Sequence, residues 1–254
     1  MRHKEAIIYD LECTTWAGAS ERHWSGKDEY REIIRIGAIS IDLDSLQEIE
    51  ALDVFVKPSI NPILSDYCVK LTGVTDEQIQ AEGIALHEAI RKFVDFAGKR
   101  NTFCCGYDIL EILENLRHNN IAFNARTLQS NRPIVINEYN KDSGNQTDSC
   151  LESNVVEVLL YGSDCLNTQG RISEGVHVEI NLNGNFAKLA GVDLWYWFHA
   201  NAPETQGKTS GELAKALGIP EPNGKVHDPL FDARCVHMGL GELVLSRHIE
   251  NPLK

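Results

Sequence analysis

Short apolar runs that end in acids open the chain. Ile7, Ile8 and Leu11 around Tyr9 predict a buried strand over residues 6–11. REIIRIGAISID (31–42) predicts a second strand, and ALDVFVKP (51–58) a third that Pro58 ends. Strands this close in sequence predict an antiparallel meander. The polar stretch AGASERHWSGKDEY (17–30) reads as a loop directly after the first strand. Thr75 and Gln78 fit a capping box, which predicts a helix start inside LSDYCVKLTGVTDEQIQ (64–80). Over 86–99, Leu86, Ile90, Phe93, Val94 and Ala97 recur at helical spacing, with Gly98 near the end. NTFCC (101–105) predicts a short strand. Ile109, Ile112, Leu113 and Leu116 mark the amphipathic helix after it.

From about residue 130 the periodicity weakens. The polar INEYNKDSGNQTDSCLESN belongs here, and residues 155–162 and 176–182 read as two strands of a hairpin with a long loop. The chain is therefore read as a single domain, 1–254, with an insertion or subdomain over 130–185. FAKLAGVDLWYWFHA (186–200) has helical spacing and many aromatic residues. Thr209 and Glu212 form a second capping box, opening a helix that Gly218 closes. The last helix is expected to begin at Asp228–Pro229, with proline at its first position, and to run through Arg247. Three adjacent strands followed by a helix, strand, helix series indicate an α/β layer with a mixed sheet.

Composition narrows the class. With 43% hydrophobic and 24% charged residues, the chain has the balance of a folded protein. It has no apolar run of about 18 residues, so no membrane-spanning helix is expected. MRHKEAIIYDLE has too short an apolar run for a signal peptide, and the expected compartment is the cytoplasm. Seven scattered cysteines without a C-x-x-C pair argue against a zinc site and for reduced thiols. Asn145-Gln146-Thr147 is a chance match to the glycosylation pattern. The net charge of −13 argues against broad polyanion binding, but it suits acids that bind cations.

The candidate chemistry lies in those acids. Asp10 and Glu12 are two apart on a predicted strand, so they share a face and lie about 6.6 Å apart. Metal ions in paired sites sit about 3.5–4 Å apart, so one strand can serve both ions. The alternative is a strand end that meets solvent. Asp108 follows a short strand and Gly106; taken alone it reads as the N-cap of a helix starting at Ile109. His227 precedes Asp232 by five residues, which places an imidazole on a loop and a carboxylate on the helix it enters. Trp16, Trp24, Trp195, Tyr196 and Trp197 are candidates to stack on unpaired bases, although the DLWYWF cluster reads better as core.

Together, DLECTTW, LSDYCVKLTGVTDEQI, GYD and HDPLFDA resemble the DEDDh 3′–5′ exonucleases of the RNase H-like fold. The second segment is similar, more narrowly, to Eri-type exoribonucleases and their bacterial relatives. The resemblance covers about 1–120 and 186–250. It implies a five-stranded mixed sheet flanked by helices, and the 130–185 insertion has no counterpart in it. It implies metal ligation by Asp10, Glu12, Asp108 and Asp232, two Mg²⁺ or Mn²⁺ ions, and His227 as general base. Cys13, Thr14, Trp16, Leu71, Thr72 and Gly73 would meet the terminal nucleotide. The implied substrate is single-stranded or short nucleic acid with a free 3′ end, RNA favoured, and the implied products are nucleoside 5′-monophosphates. A DNA-directed exonuclease and a non-catalytic binding or scaffold protein are the alternatives, and a homodimer is left open. Two departures stand out: Pro229 occupies a position where the family usually carries a small residue, and Asp108 lies in a loosely defined motif for which Asp95 is the substitute.

Overall fold

The computed structural model describes residues 4–254 except 23, 25, 128–130, 132, 138–155, 160–174 and 183. The opening meander forms as expected. Strand β1 (Glu5–Cys13) pairs antiparallel with β2 (Ile33–Asp42), and β2 with β3 (Glu48–Phe55). The third strand begins before the predicted 51–58 and stops at Phe55. Two short helices follow, α1 (Asp66–Thr72) and α2 (Asp76–Glu82). The Thr75–Gln78 capping box opens α2. The sequence reading missed α1, although Ser65 accepts the Cys68 N–H as its N-cap and Gly73 ends it at φ 75°. Next come α3 (Leu86–Ala97), β4 (Thr102–Cys104) and α4 (Asp108–His118). Asp108 is the first residue of α4 and Tyr107 its N-cap, so Asp108 is not the cap it resembles in isolation.

The second half departs from expectation. Strands β5 (Phe123–Thr127), β6 (Pro133–Asn137), β7 (Val156–Leu159), β8 (Val176–Leu182) and β9 (Asn185–Asp193) join the same sheet. Its order is β3-β2-β1-β4-β9-β8-β5-β6-β7, nine strands among the described residues rather than five. The expected hairpin between 155–162 and 176–182 does not form, because β7 pairs parallel with β6 while β8 lies between β5 and β9. The helix expected over 186–200 is also wrong. Residues 185–193 are a strand between β4 and β8, and only α5 (Trp195–Asn201) is helical. The Ala, Lys and Leu residues there are good helix formers, but such propensity is small beside the ladders on both sides that satisfy the backbone instead. The proposed 130–185 insertion lies for the most part outside the described residues.

A 3₁₀ turn at 210–212 opens at the Thr209–Glu212 box and leads into α6 (Leu213–Ala216). The last helix, α7 (Pro229–Gly241), begins where the Asp–Pro pair places it, with Asp228 accepting the Leu230 and Phe231 N–H groups. It ends before Arg247, in a π turn over 242–246. No helix among the described residues is long and apolar enough to cross a membrane.

Around β1 the sheet is covered on both faces, whereas β8 turns His177, Glu179 and Asn181 to a half-exposed side. Ile7, Tyr9 and Leu11 face one way, with α3 and α4 packed over them and over Val178 and Ile180 of β8. Ile8 of β1 and Ile39 and Ile41 of β2 face the other way, beneath Phe198, Leu213, Val236 and Leu240 of α5, α6 and α7. That alternation is the period of two of a strand buried on both sides. Helix α7 comes unusually close to β2: a Cβ on Gly37 would overlap the backbone of Pro229 and Leu230. Backbone cannot swing aside as a side chain can. Gly37→Ala should therefore destabilise the fold by about 1–3 kcal/mol, the usual cost of overpacking, measured by urea unfolding. An unchanged unfolding midpoint would show that α7 does not depend on this contact.

Candidate active site

The alternation that buries Ile8 also aims Asp10 and Glu12 at the α7 side of β1, opposite Gly37 and Arg35 of β2. Both carboxylates are buried. A register shift follows Glu12 directly, where Cys13 pairs with Ile33 and Ile34 is left over. Asp108 enters from the start of α4 and Asp232 from the first turn of α7. Both are buried, Asp232 to 2% exposure. His227 stands on the loop before α7 with its side chain 34% exposed, and its Nδ1 lies 3.6 Å from Glu12 Oε1. Its backbone N–H donates to Asp232 Oδ2 at 3.3 Å. Ligand atoms of Glu12, His227 and Asp232 lie within 4.8 Å of one another.

Buried like charges set the electrostatics. Burial, then the charges of Asp108, Asp232 and Glu12, push the Asp10 carboxyl well above the usual range, and a 2.8 Å hydrogen bond from the Ser210 hydroxyl opposes them. Asp108 is raised by burial and by Glu111 and Asp193, against the Leu11 backbone N–H. Burial and Glu12 raise Asp232 to about 7. Glu12 is raised by burial, which its contact with His227 only partly offsets. His227 in turn is raised by the neighbouring Glu12 carboxylate, against its own burial.

The donor set suits a hard divalent cation. Four buried carboxylates offer oxygen ligands, the donors that Mg²⁺ and Mn²⁺ prefer. Asp232 Oδ1 is buried with no hydrogen-bond partner, a costly condition for an ionised oxygen. Gly211 borders that atom, and a Cβ there would overlap the Asp232 carboxylate. Glycine is thus what lets the 3₁₀ turn and α7 close around the acid.

A family model described as exonuclease, RNase T, matches residues 7–142, more than half of the chain. The chain belongs to the DEDDh family of 3′–5′ exonucleases. Members generally depend on divalent metal ions. Among its relatives, ERI1 exoribonuclease 2 of Xenopus laevis is 31% identical over 87 residues, 34% of this chain and 12% of that protein. The 3′-5′ exonuclease eri1 of Schizosaccharomyces pombe is 30% identical over 111 residues, 44% of this chain and 35% of that one. The chain therefore spans about a third or less of the length of these relatives. The fold is similar to that of a 3′-exonuclease solved for its recognition of the histone mRNA stem-loop, with TM-score 0.60, 14% identity, and 97% of this chain and 84% of that chain covered. It is also similar to the nuclease domain of 3′hExo bound to rAMP, with TM-score 0.57, 14% identity, and 96% and 93% covered.

Of the residues suggested by the exonuclease motifs, Glu12, His227 and Asp232 bring ligand atoms within 4.8 Å of one another, and Asp10 lies near enough to Asp108, Asp232 and Glu12 to feel their charges. Asp95 is exposed on α3. The others flank the site with their side chains variously engaged. The Cys13 thiol donates to Glu111 at 3.2 Å. The Thr14 hydroxyl donates to the Tyr30 carbonyl and accepts the Glu32 N–H. The Thr72 hydroxyl donates to the Cys68 carbonyl and accepts the Val74 N–H. Trp16 and Leu71 are half-buried and Gly73 is exposed. Trp24 packs under the Arg31 guanidinium, 4.8 Å from the ring centroid. Trp195 and Trp197 pack on the α5–α7 core and Tyr196 is exposed.

Three contributors escaped the sequence reading. Ser210 and Gly211 sit inside the recognised capping box, but nothing in that box points to Asp10 or Asp232. Asp193 accepts the Gly106 and Trp195 N–H groups and so ties β9 to the turn that carries Asp108. Its signal was hidden by the helical reading of 186–200.

Every acid in this cluster is raised, so the metal-free folded state holds protons that the unfolded chain releases. Stability then falls as pH rises from about 4 to 7, and the raised His227 acts in the same sense. In a chelator, the unfolding temperature should be lower at pH 7.5 than at pH 5.5. Asp232→Asn should flatten that slope and stabilise the metal-free protein by about 1–3 kcal/mol at pH 7.5. An equal slope in the variant would show that this carboxylate carries no strain.

Proposed function

We propose that the chain removes nucleoside 5′-monophosphates one at a time from the 3′ end of single-stranded or short nucleic acid, with RNA preferred. The observation that carries this reading is the meeting of four buried carboxylates from β1, α4 and α7 beside a partly exposed imidazole. Family membership supports the reaction, and the exoribonuclease relatives support RNA. We read the whole chain as one exonuclease unit, with residues 130–185 as an insertion within it.

Asp10, Glu12, Asp108 and Asp232 would hold two Mg²⁺ or Mn²⁺ ions. Such ions, when bound, stabilise the charge that develops on the attacking and leaving oxygens of a phosphoryl displacement. The chain supplies the rest. His227 is the member of the cluster that meets solvent, so its imidazole takes the proton of the attacking water. The water oxygen bonds to phosphorus, the bond from phosphorus to the 3′ oxygen of the penultimate nucleotide breaks, and that oxygen takes a proton from solvent to leave as a 3′-hydroxyl. Glu12, beside Nδ1, orients the ring and stabilises the imidazolium. Ser210 fixes the Asp10 carboxylate.

The exonuclease motifs suggest terminal-nucleotide contact by Cys13, Thr14, Trp16, Leu71, Thr72 and Gly73. Because the Thr14 and Thr72 hydroxyls are spent within the fold, the Trp16 ring, the Leu71 side chain and the Gly73 backbone are the groups that remain to meet a base.

The test is Mn²⁺-dependent release of mononucleotides from matched RNA and DNA oligomers carrying a free or blocked 3′ end. Release from free 3′ ends, faster on RNA, is expected. Asp10→Asn should abolish turnover, and His227→Ala should lower it by about 10²–10⁴. Equal cleavage of blocked ends, or full activity in either variant, would refute the reading.

A further inference from the structure

We propose that Arg35 is a positioning residue that sets His227 for catalysis through Asp228. This rests on the assignment of His227 as the base. The starting point is backbone strain. His227 has φ 67°, a left-handed conformation that is unfavourable for a residue with a Cβ. Such a residue persists only where its surroundings hold it.

Arg35 supplies that hold from the neighbouring strand. Its guanidinium donates through Nη1 to Asp228 Oδ2 at 2.8 Å. Nε and Nη2 grip Asp53 in a two-pronged pair at 2.8 and 2.7 Å, and the Phe55 ring lies 4.8 Å beneath. The arginine is thus fixed on β3 before it reaches Asp228, and its side chain is only 13% exposed. A planar, pre-oriented fork loses little freedom in making the third contact.

Asp228 turns that anchor into a position for the histidine. Its Oδ1 caps α7 at the Leu230 and Phe231 N–H groups, while its other oxygen is held by Arg35. Its own N–H donates to the Lys225 carbonyl at 3.1 Å. The residue after His227 is therefore pinned at both oxygens and at its nitrogen. Pro229, the departure from the family pattern, fixes the next φ. The closure over Gly37 seats that proline against β2, one pleat along from Arg35. The backbone of His227 is thereby held where its N–H meets Asp232 and its Nδ1 lies 3.6 Å from Glu12 Oε1.

Steady-state cleavage of a 3′-hydroxyl oligoribonucleotide in Mn²⁺ over a range of substrate concentrations tests this with Arg35→Gln, Arg35→Lys, His227→Ala and the Arg35→Gln/His227→Ala double variant. Arg35→Gln should lower the rate about 10-fold or more with KM within about 2-fold, and Arg35→Lys should recover part of it. In the His227→Ala background, Arg35→Gln should cost nothing further, because the group it positions is gone. An equal loss in both backgrounds, or a change in KM alone, overturns the proposal. Should Arg35→Gln fail to fold, Asp228→Asn keeps a capping oxygen, weakens the arginine contact and must show the same non-additivity. His227→Ala cleaving as fast as wild type would instead overturn the base assignment, a result distinct from additive loss.

Discussion

Four carboxylates brought together out of water are the constraint around which the rest of this structure is arranged. Each buried charge loses hydration and repels its neighbours. The fold accepts that cost by surrounding the acids with fixed donors. The Ser210 hydroxyl serves Asp10, the Leu11 N–H serves Asp108, and the His227 N–H serves Asp232. Asp108 and Asp232 also lie in the first turns of α4 and α7, where exposed N–H groups and the helix dipole favour negative charge. What these donors leave over, including the unpartnered Asp232 Oδ1, is demand for positive charge.

The sheet decides where that demand is felt. β1 runs between antiparallel β2 and parallel β4, with α3 and α4 on one face and α5 to α7 on the other. Acids from β1 and from both helical layers can meet only beyond the apolar part of β1, near its C-terminal end. Ligands of open α/β sheets generally sit at such strand ends. Close approach on the α7 side is permitted by glycine at two positions, Gly37 under the helix start and Gly211 beside Asp232. Both act by omitting a side chain.

Legibility followed the range of the signal. The meander, α3, the two capping boxes and the Asp228–Pro229 helix start rest on periodicity or on contacts within four residues, and all appear in the structure. α1 had equally local signals in Ser65 and Gly73 and could have been found. β9 could not be found this way, because its residues lean toward helix and only β4 and β8 make it a strand. β7 and β8 were seen as strands but wrongly joined, since pairing partners are chosen by the sheet and not by order along the chain.

The candidate site divides in the same manner. Residue type, order and the resemblance of the motif strings together picked out Asp10, Glu12, Asp108, His227 and Asp232, because metal and proton chemistry admits few side chains. Tertiary structure alone decided that Asp108 begins its helix without capping it, that Ser210 fixes Asp10 while Asp193 holds the turn before Asp108, and that Arg35 reaches Asp228 across 193 positions. Chemical identity is a property of single residues and can be read in a string. Burial, repulsion and the angle of an imidazole arise between residues far apart in sequence, and they exist only once the sheet and its two helical layers have closed.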